Sequence, residues 1–266
     1  MLPNKAGEVS GAAEHIDAGD VVHLWLADFR EFSGALNLYC QTLSHDELKR
    51  AERFKFDSLR NFYVFCRGTL RHILSQYTGI DAKSLQFHYG EKGKPSLPPE
   101  FEIRFNVSHS GSLFVCAVSK NLDLGVDVEE IRSMNDMTAI AQDFFAPSEQ
   151  RNLARIAEVN RTQSFYECWT RKEAVIKATG EGVSRMLDTF EVAFGPGVVA
   201  RLVRFNDETS PIWNMESFVP RPGYVGALTS PTPWSSLRVY EFHQSEVFSK
   251  QKSPTASGSV VGGGSK

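Results

Sequence analysis

The spacing of apolar and polar residues predicts a chain that mixes strands with helices. The bulky apolar run Val21–Leu26 is predicted to be a strand. Across Ser44–Tyr77, apolar residues recur at spacings of three to five, which suits one buried helical face. We expect a break inside this helical region at Asp57–Ser58 and its end at Gly79.

The middle of the chain predicts a loop followed by three strands. Tyr89–Pro99 is so rich in glycine and proline that we expect no regular structure there. Ile103–Ser108 and Leu113–Ser119 are predicted to form a hairpin, joined by the polar turn His109–Ser112. Leu124–Ile131 is predicted to be the next strand.

The last third of the chain predicts helices followed by strands. Met137–Ala157 is predicted to be helical with a break at Ala146–Pro147, and a stronger helix runs from about Ser164 to Thr179, where Gly180 stops it. Later strands are expected at Phe190–Phe194, Ala200–Phe205, Ser217–Val219, Tyr224–Leu228 and Leu237–Phe242.

These elements fall into two groups of mixed type. Residues 1–20 are rich in Gly, Ala and Glu and are expected to be loosely ordered, and the Ser/Gly/Lys-rich residues 246–266 are expected to be disordered. Residues 21–122 and 123–245 each combine helices with strands. The pattern therefore predicts an α+β protein of two halves, although no internal sequence repeat is visible.

Composition narrows the function classes. The chain has 266 residues, 41% apolar and 23% charged, with a net charge of -3, so it gives no signal for a nucleic-acid partner. It contains no apolar run of the roughly 20 residues that cross a bilayer and no basic start typical of a secretion signal. Its four cysteines are widely spaced, which argues against a zinc site or disulfide framework. We expect a cytoplasmic protein without a membrane partner.

The strand Leu124–Ile131 alternates apolar and acidic residues. Asp127 and Glu129 therefore share one face. Two neighbouring carboxylates repel each other unless a cation or solvent neutralises them, so this face is either a solvated edge or part of a cation site.

The helix FYECWTRKEAVIKATGEG offers a third carboxylate. Glu173 and Lys177 lie one turn apart, which is often only a surface ion pair worth about 0.3–0.5 kcal/mol. If this helix packs near the acidic strand, Glu173 joins Asp127 and Glu129 as an oxygen ligand. An incomplete shell of carboxylates suits Mg²⁺, which retains waters and binds substrate phosphates.

Basic candidates for a phosphate group lie elsewhere in the chain. Lys94 follows Gly93 in a turn, and Arg50 and Arg53 lie on a basic helix. His109, at the start of the hairpin turn next to Ser108, is either structural or functional. A Ser/His hydrolase is disfavoured because no Gly-x-Ser-x-Gly elbow surrounds His109 and its neighbouring serines. A P-loop nucleotide site is disfavoured because its GxxxxGK[ST] motif is absent from the sequence.

Five segments together resemble the Sfp-type 4′-phosphopantetheinyl transferases. They are GEKGKPSLP (90–98), FNVSHSG (105–111), GVDVEEI (125–131), FFAPSE (144–149) and FYECWTRKEAVIKATGEG (165–182). Their order and spacing match the family over roughly residues 20–245. The resemblance implies two similar α+β halves with pseudo-twofold symmetry and an active site in the cleft between them. It also implies transfer of the phosphopantetheine arm of coenzyme A to a serine of an apo carrier protein, leaving adenosine 3′,5′-bisphosphate.

The resemblance also assigns residues to roles. Asp127, Glu129 and Glu173 would hold magnesium, with Glu173 and Lys177 catalytic. Arg50, Arg53, Lys94, Ser108 and His109 would bind coenzyme A. Glu149 and Lys172 match family positions of less certain role, and Glu47 stands where some members carry a basic residue.

Two other functions use the same residues. A magnesium-dependent phosphohydrolase acting on a nucleotide-like pyrophosphate would replace the carrier serine with water, and a non-catalytic module would bind the carrier only. The carrier itself is not identified by the sequence. Phe144–Phe145 is a candidate docking segment or part of the core, and a monomer is expected because both halves lie in one chain.

Overall fold

The computed structural model describes residues 20–32, 34, 36–180, 186–205, 208–209 and 212–243. The N-terminal segment through residue 19 and the tail 246–266 lie outside the described residues. The helices are α1 Leu36–Thr42, α2 His45–Glu52, α3 Asp57–Thr78, α4 Met137–Phe144, α5 Pro147–Arg155 and α6 Glu158–Thr179. The strands are β1 Val21–Asp28, β2 His88–Tyr89, β3 Pro95–Ser96, β4 Ile103–Ser110, β5 Leu113–Lys120, β6 Gly125–Glu130, β7 Glu191–Ala193, β8 Arg201–Phe205, β9 Glu208–Thr209, β10 Asn214–Phe218, β11 Tyr224–Ser230 and β12 Ser236–Glu241.

The α+β class is confirmed, and one topology occurs twice. In the first half the strand order is β1-β5-β4, and in the second it is β6-β11-β10. Each set places its first strand beside its last and has only antiparallel pairs. Each half also carries one 22-residue helix, α3 or α6, which ends at a glycine in the left-handed conformation, Gly79 or Gly180. The repeat expected from the resemblance is therefore visible in the topology.

Apolar packing joins the two halves. One core cluster packs α3 against the first sheet, and another packs α4 to α6 against the second. A third cluster mixes both sheets, with Leu24 and Val115 from the first and Val126, Val128 and Leu228 from the second. All five are almost completely buried, so the halves share a core that stabilises their relative position.

The last described strand returns to the first half. β12 pairs in parallel with β1, with Val21 beside Ser236 and Leu26 beside Glu241. The first sheet therefore has four strands, β12-β1-β5-β4, and its outer strand comes from the second half of the chain.

Several local predictions were wrong. The segment Tyr89–Pro99 was expected to lack regular structure, but β2 and β3 form a small hairpin across it, because Gly93 adopts φ 77° and allows a tight turn. His109 is not in a turn. It lies in β4 opposite Phe114, and the reversal is confined to Gly111 and Ser112.

Helix boundaries also differ from the prediction. The break in the first helical region precedes Asp57, where α3 begins, and α6 begins at Glu158 rather than near Ser164. α1 was not predicted. In the described part of the chain, no helix is both long enough and apolar enough to cross a bilayer.

Candidate active site

Side chains connect the two halves where β4 lies beside β6. The two strands belong to different sheets. Asn106 Oδ1 accepts a hydrogen bond from the backbone N–H of Val126 at 2.9 Å. Ser108 Oγ accepts from Val128 N at 3.4 Å and Ser110 Oγ from Glu130 N at 3.1 Å. Alternate side chains of β4 thus bind alternate amides of β6 and form a three-rung side-chain ladder.

The two serines of this ladder also hold the acidic residues of β6. Ser108 donates to Asp127 Oδ1 at 2.8 Å, and Ser110 donates to Glu129 Oε2 at 2.7 Å. Asp127 is only 4% exposed, and its Oδ2 is buried without a hydrogen-bond partner among the described residues. Each carboxylate therefore has one oxygen fixed by a serine.

Close packing of α6 on β6 brings the remaining residues to this face. A Cβ added to Gly125 would lie 1.8 Å from the carbonyl oxygen of Ala174, so only glycine allows this approach. Lys177 Nζ donates to Asp127 Oδ1 at 2.7 Å and to Ser108 Oγ at 3.0 Å. Lys177 therefore contacts the acidic strand, and the alternative of a solvated Glu173–Lys177 surface pair does not describe its position.

The charges of the three carboxylates influence one another. Burial raises the pKa of Glu173, and the charges of Asp127 and Glu129 raise it further. Burial also raises the pKa of Glu129, assisted by Asp127 and opposed by the Ser110 hydrogen bond. Like charges brought together out of bulk water favour protonation or a bound cation.

The fit of a metal ion can be judged from these groups. Within the part of the chain that the structure describes, no three or more His, Cys, Asp or Glu side chains converge closely enough to hold an ion by themselves. The bare buried Oδ2 of Asp127 and the mutual repulsion of Glu129 and Glu173 nevertheless suit a hard cation that takes part of its shell from a phosphate.

Two cavities open on this face and meet at the β2–β3 hairpin, where Gly93, Pro95 and Val107 line both. The larger measures about 810 Å³ and lies beside α2 and α3. The smaller, about 590 Å³, contains Glu173 and Lys177. A ligand with two unlike ends could therefore extend from one cavity to the other past the hairpin and Val107.

The larger cavity is lined by two of the five residues predicted to bind coenzyme A. Arg50 lines it, with its guanidinium 5.6 Å from the Tyr63 ring centre. His109 also lines it and contacts Phe62 edge to face. Exclusion of bulk water lowers the pKa of His109, and the Lys177 charge lowers it further. Arg53 is exposed at the end of α2 and is not among the residues lining either cavity.

Lys94 links the hairpin to the second half. Its Nζ donates to the carbonyl oxygen of Lys177 at 2.6 Å and lies 3.5 Å from that of Leu124. Burial lowers the pKa of Lys94. In this structure its ammonium caps the end of α6, next to the smaller cavity that it lines.

Two buried ion pairs occupy equivalent places in the two halves. Glu47 bonds Arg71 at 2.7 Å in the first half, and Glu149 bonds Lys172 at 2.7 Å in the second. Each glutamate is the third residue of a short helix and accepts from that helix's N-cap amide. Arg71 and Lys172 occupy the same position along α3 and α6, and each also donates to carbonyls of the following loop.

These pairs give a role to residues that sequence reasoning left open. Burial would raise the pKa of Glu47, but Arg67 and Arg71 outweigh it and lower that pKa. Glu47 thus takes part in the packing of the first half. The contact between Ser110 and Glu129 was not predicted, although the place of Ser110 two positions after Ser108 on the same strand face could have indicated it.

Comparisons with known proteins agree on one family. A model described as the 4′-phosphopantetheinyl transferase superfamily matches residues 123–229, and one described as 4′-phosphopantetheinyl transferase, N-terminal, matches residues 25–121. The chain is 36% identical over 212 residues to the 4′-phosphopantetheinyl transferase HetI of Nostoc sp., covering 79% of this chain and 87% of HetI.

Two further relatives come from bacilli. The 4′-phosphopantetheinyl transferase Sfp of Bacillus subtilis is 31% identical over 165 residues, covering 62% of this chain and 71% of Sfp. The 4′-phosphopantetheinyl transferase psf-1 of Bacillus pumilus is 30% identical over 199 residues, covering 74% and 82%.

Proposed function

Since the chain belongs to the 4′-phosphopantetheinyl transferase superfamily, we infer that it transfers the 4′-phosphopantetheine group of coenzyme A to a serine of an apo carrier protein. The products are the holo carrier and adenosine 3′,5′-bisphosphate. The relationship to HetI over most of both chains carries this conclusion. Nothing in the comparisons favours a phosphohydrolase.

Asp127, Glu129 and Glu173 are the proposed ligands of a magnesium ion. The bare Oδ2 of Asp127 and the raised pKa values of Glu129 and Glu173 support this assignment. When bound, the ion would neutralise the pyrophosphate of coenzyme A and polarise the phosphorus that is attacked. The remaining ligands would be phosphate oxygens and water.

Coenzyme A would lie across both cavities. Arg50 and His109 line the larger one and would bind the nucleotide end. Ser108, next to His109 in β4, is proposed to assist them, with Arg53 and Lys94 adding positive charge. The smaller cavity is lined by Trp169, Phe144 and Ile176 and would receive the apolar length of the pantetheine arm. The pyrophosphate would then sit against the acidic strand.

Two residues of α6 would act in the transfer itself. The raised pKa of Glu173 suits a base that accepts the proton of the incoming serine hydroxyl, directly or through water. Lys177, held by Asp127 and Ser108, would offset charge on the phosphate oxygens and the departing bisphosphate. A positioned base is needed because a serine hydroxyl is a weak nucleophile.

The carrier would approach from the smaller cavity. Phe144 is 41% exposed and contacts Trp169 edge to face, whereas Phe145 is completely buried. The docking role is therefore proposed for Phe144 alone. A cytoplasmic, monomeric enzyme without nucleic-acid or membrane partners is the accompanying proposal, supported by the composition and by a cleft formed within one chain.

The test is a mass measurement. The protein is incubated with coenzyme A, magnesium and a panel of apo fatty-acid, polyketide and peptide carriers. At least one carrier should gain the phosphopantetheine mass, and chelation of magnesium should stop the gain. Release of phosphate without modification of any carrier would favour the phosphohydrolase, and binding of a carrier with neither product would favour a non-catalytic module.

A further inference from the structure

Ser110 lies at the end of the three-rung side-chain ladder, and its hydroxyl both donates and accepts a hydrogen bond. One lone pair accepts from Glu130 N at 3.1 Å, and its only proton goes to Glu129 Oε2 at 2.7 Å. Rotation of the hydroxyl proton away from Glu129 would lose the donated bond. Its direction is therefore set by the backbone of β6, the same strand that carries Glu129.

The arrangement repeats one rung away. Ser108 accepts from Val128 N at 3.4 Å and donates to Asp127 Oδ1 at 2.8 Å. In both rungs a serine of β4 fixes one oxygen of a carboxylate of β6. The other oxygen of Asp127, Oδ2, is buried and has no hydrogen-bond partner in the described part of the chain. The serine bond to Glu129 is made by Oε2, so Oε1 is the oxygen left for a ligand.

We propose that Ser110 is a positioning residue that orients Glu129 for the divalent cation. The proposal rests on the magnesium site of the proposed function and adds a residue to it. A carboxylate on a strand can rotate about its side-chain bonds. If these rotations are free before the ion binds, the entropy lost when they are fixed lowers the affinity for the ion. Hydrogen bonds to a metal ligand from a neighbouring group typically contribute 10–100-fold to metal affinity.

The three rungs of the ladder allow the proposed orientation of Glu129 by Ser110 to be tested separately from the contribution of Ser110 to strand packing. Asn106 forms the first rung, accepting from Val126 N at 2.9 Å, and no contact joins it to a carboxylate among the described residues. Asn106→Ala therefore weakens the ladder without freeing a carboxylate, and its coenzyme A affinity is measured alongside because Asn106 also lines the smaller cavity. Ser110→Ala weakens the ladder and also frees Glu129, while Ser110→Thr retains a hydroxyl in the same place.

The experiment measures manganese binding by the full chain with saturating coenzyme A, by electron paramagnetic resonance of the free ion. Ser110→Ala should raise the manganese Kd by about 10–100-fold. Ser110→Thr and Asn106→Ala should stay within about threefold of the wild type. Coenzyme A affinity in chelator, measured by calorimetry, should be the same in Ser110→Ala as in the wild type. With Glu129→Gln as background, Ser110→Ala should add no further loss.

The outcomes are distinct. A manganese Kd for a folded Ser110→Ala protein equal to that of the wild type would overturn the proposal and leave the magnesium site intact. An equal loss in Asn106→Ala would also overturn it, because strand register would then be the cause. Absence of manganese binding by the wild type would overturn both this proposal and the magnesium site of the proposed function.

Discussion

Replacing Lys172 with methionine should destabilise the fold strongly although the side chain reaches no substrate cavity. Lys172 is completely buried, and its Nζ contacts Glu149 at 2.7 Å and the carbonyl oxygens of Leu187 and Phe190 at 2.8 and 2.6 Å. Methionine fills a similar volume but leaves Glu149 buried without its cation, where burial already raises its pKa, so the carboxyl must stay charged and unpaired or bind a proton. Breaking a buried pair in this way costs about 3–5 kcal/mol.

The assay is urea unfolding at pH 7.5 followed by circular dichroism. With a urea m value near 3 kcal/mol per molar, the midpoint should fall by about 1–1.7 M. Lys120→Met is the matched control, because its Glu102 partner is 57% exposed and the pair spans 3.3 Å at the surface. Such a pair is worth at most about 1 kcal/mol.

Removal of both charges provides the decisive comparison. The double variant Glu149→Gln, Lys172→Met should be more stable than the sum of the two single changes predicts, since no unpaired charge remains buried. A Lys172→Met protein within about 1 kcal/mol of the wild type would refute the reasoning. So would strict additivity in the cycle, because it would mean that the two side chains do not stabilise each other.

Three further predictions follow from the structure. Glu173→Gln should lower the transfer rate by at least about 100-fold while coenzyme A affinity in calorimetry is retained, and strong residual transfer would exclude Glu173 as the base. Burial lowers the pKa of His23 from 6.5 to about 4. Between these pH values the unfolded chain binds more protons than the folded chain, so about 3 kcal/mol of stability is lost as pH falls through this window. His23→Gln should flatten this part of the plot of unfolding free energy against pH, and an unchanged slope would contradict the assignment. Gly125→Ala should abolish transfer and lower the unfolding midpoint because its Cβ meets the Ala174 carbonyl, and a fully active variant would show that α6 can move away without cost.

The chemistry-bearing strand and helix could be predicted because their signals are local. Alternation along β6 gave the shared face of Asp127 and Glu129, and the spacing of one turn gave Glu173 and Lys177. Whether that strand and helix meet depends on Gly125. Its lack of a side chain lets the backbone of α6 approach, and this contact between distant parts of the chain has no local sequence signal. The sequence pattern alone therefore left a solvated edge strand as an equal alternative.

The repeat and its ion pairs could not be predicted from apolar periodicity. Arg71 and Lys172 differ in type, and no internal repeat is visible in the sequence. What the halves share is the position of a cation on α3 or α6, a glutamate three places into a short helix, and a terminal glycine. α1 was missed for a related reason: it is short and carries no cap or charge signal.

The parallel pairing of β1 with β12 has a consequence for the order in which the protein is made. Asp20 and Ser235, hydrogen-bonded at one end of this pair, are 215 residues apart. At about 5–20 residues per second, a ribosome takes roughly 10–40 s to make the chain between them. During that time one edge of the apolar strand β1 has no neighbour, and open strand edges recruit other chains. The first sheet to emerge is thus completed only after the second half has been synthesised.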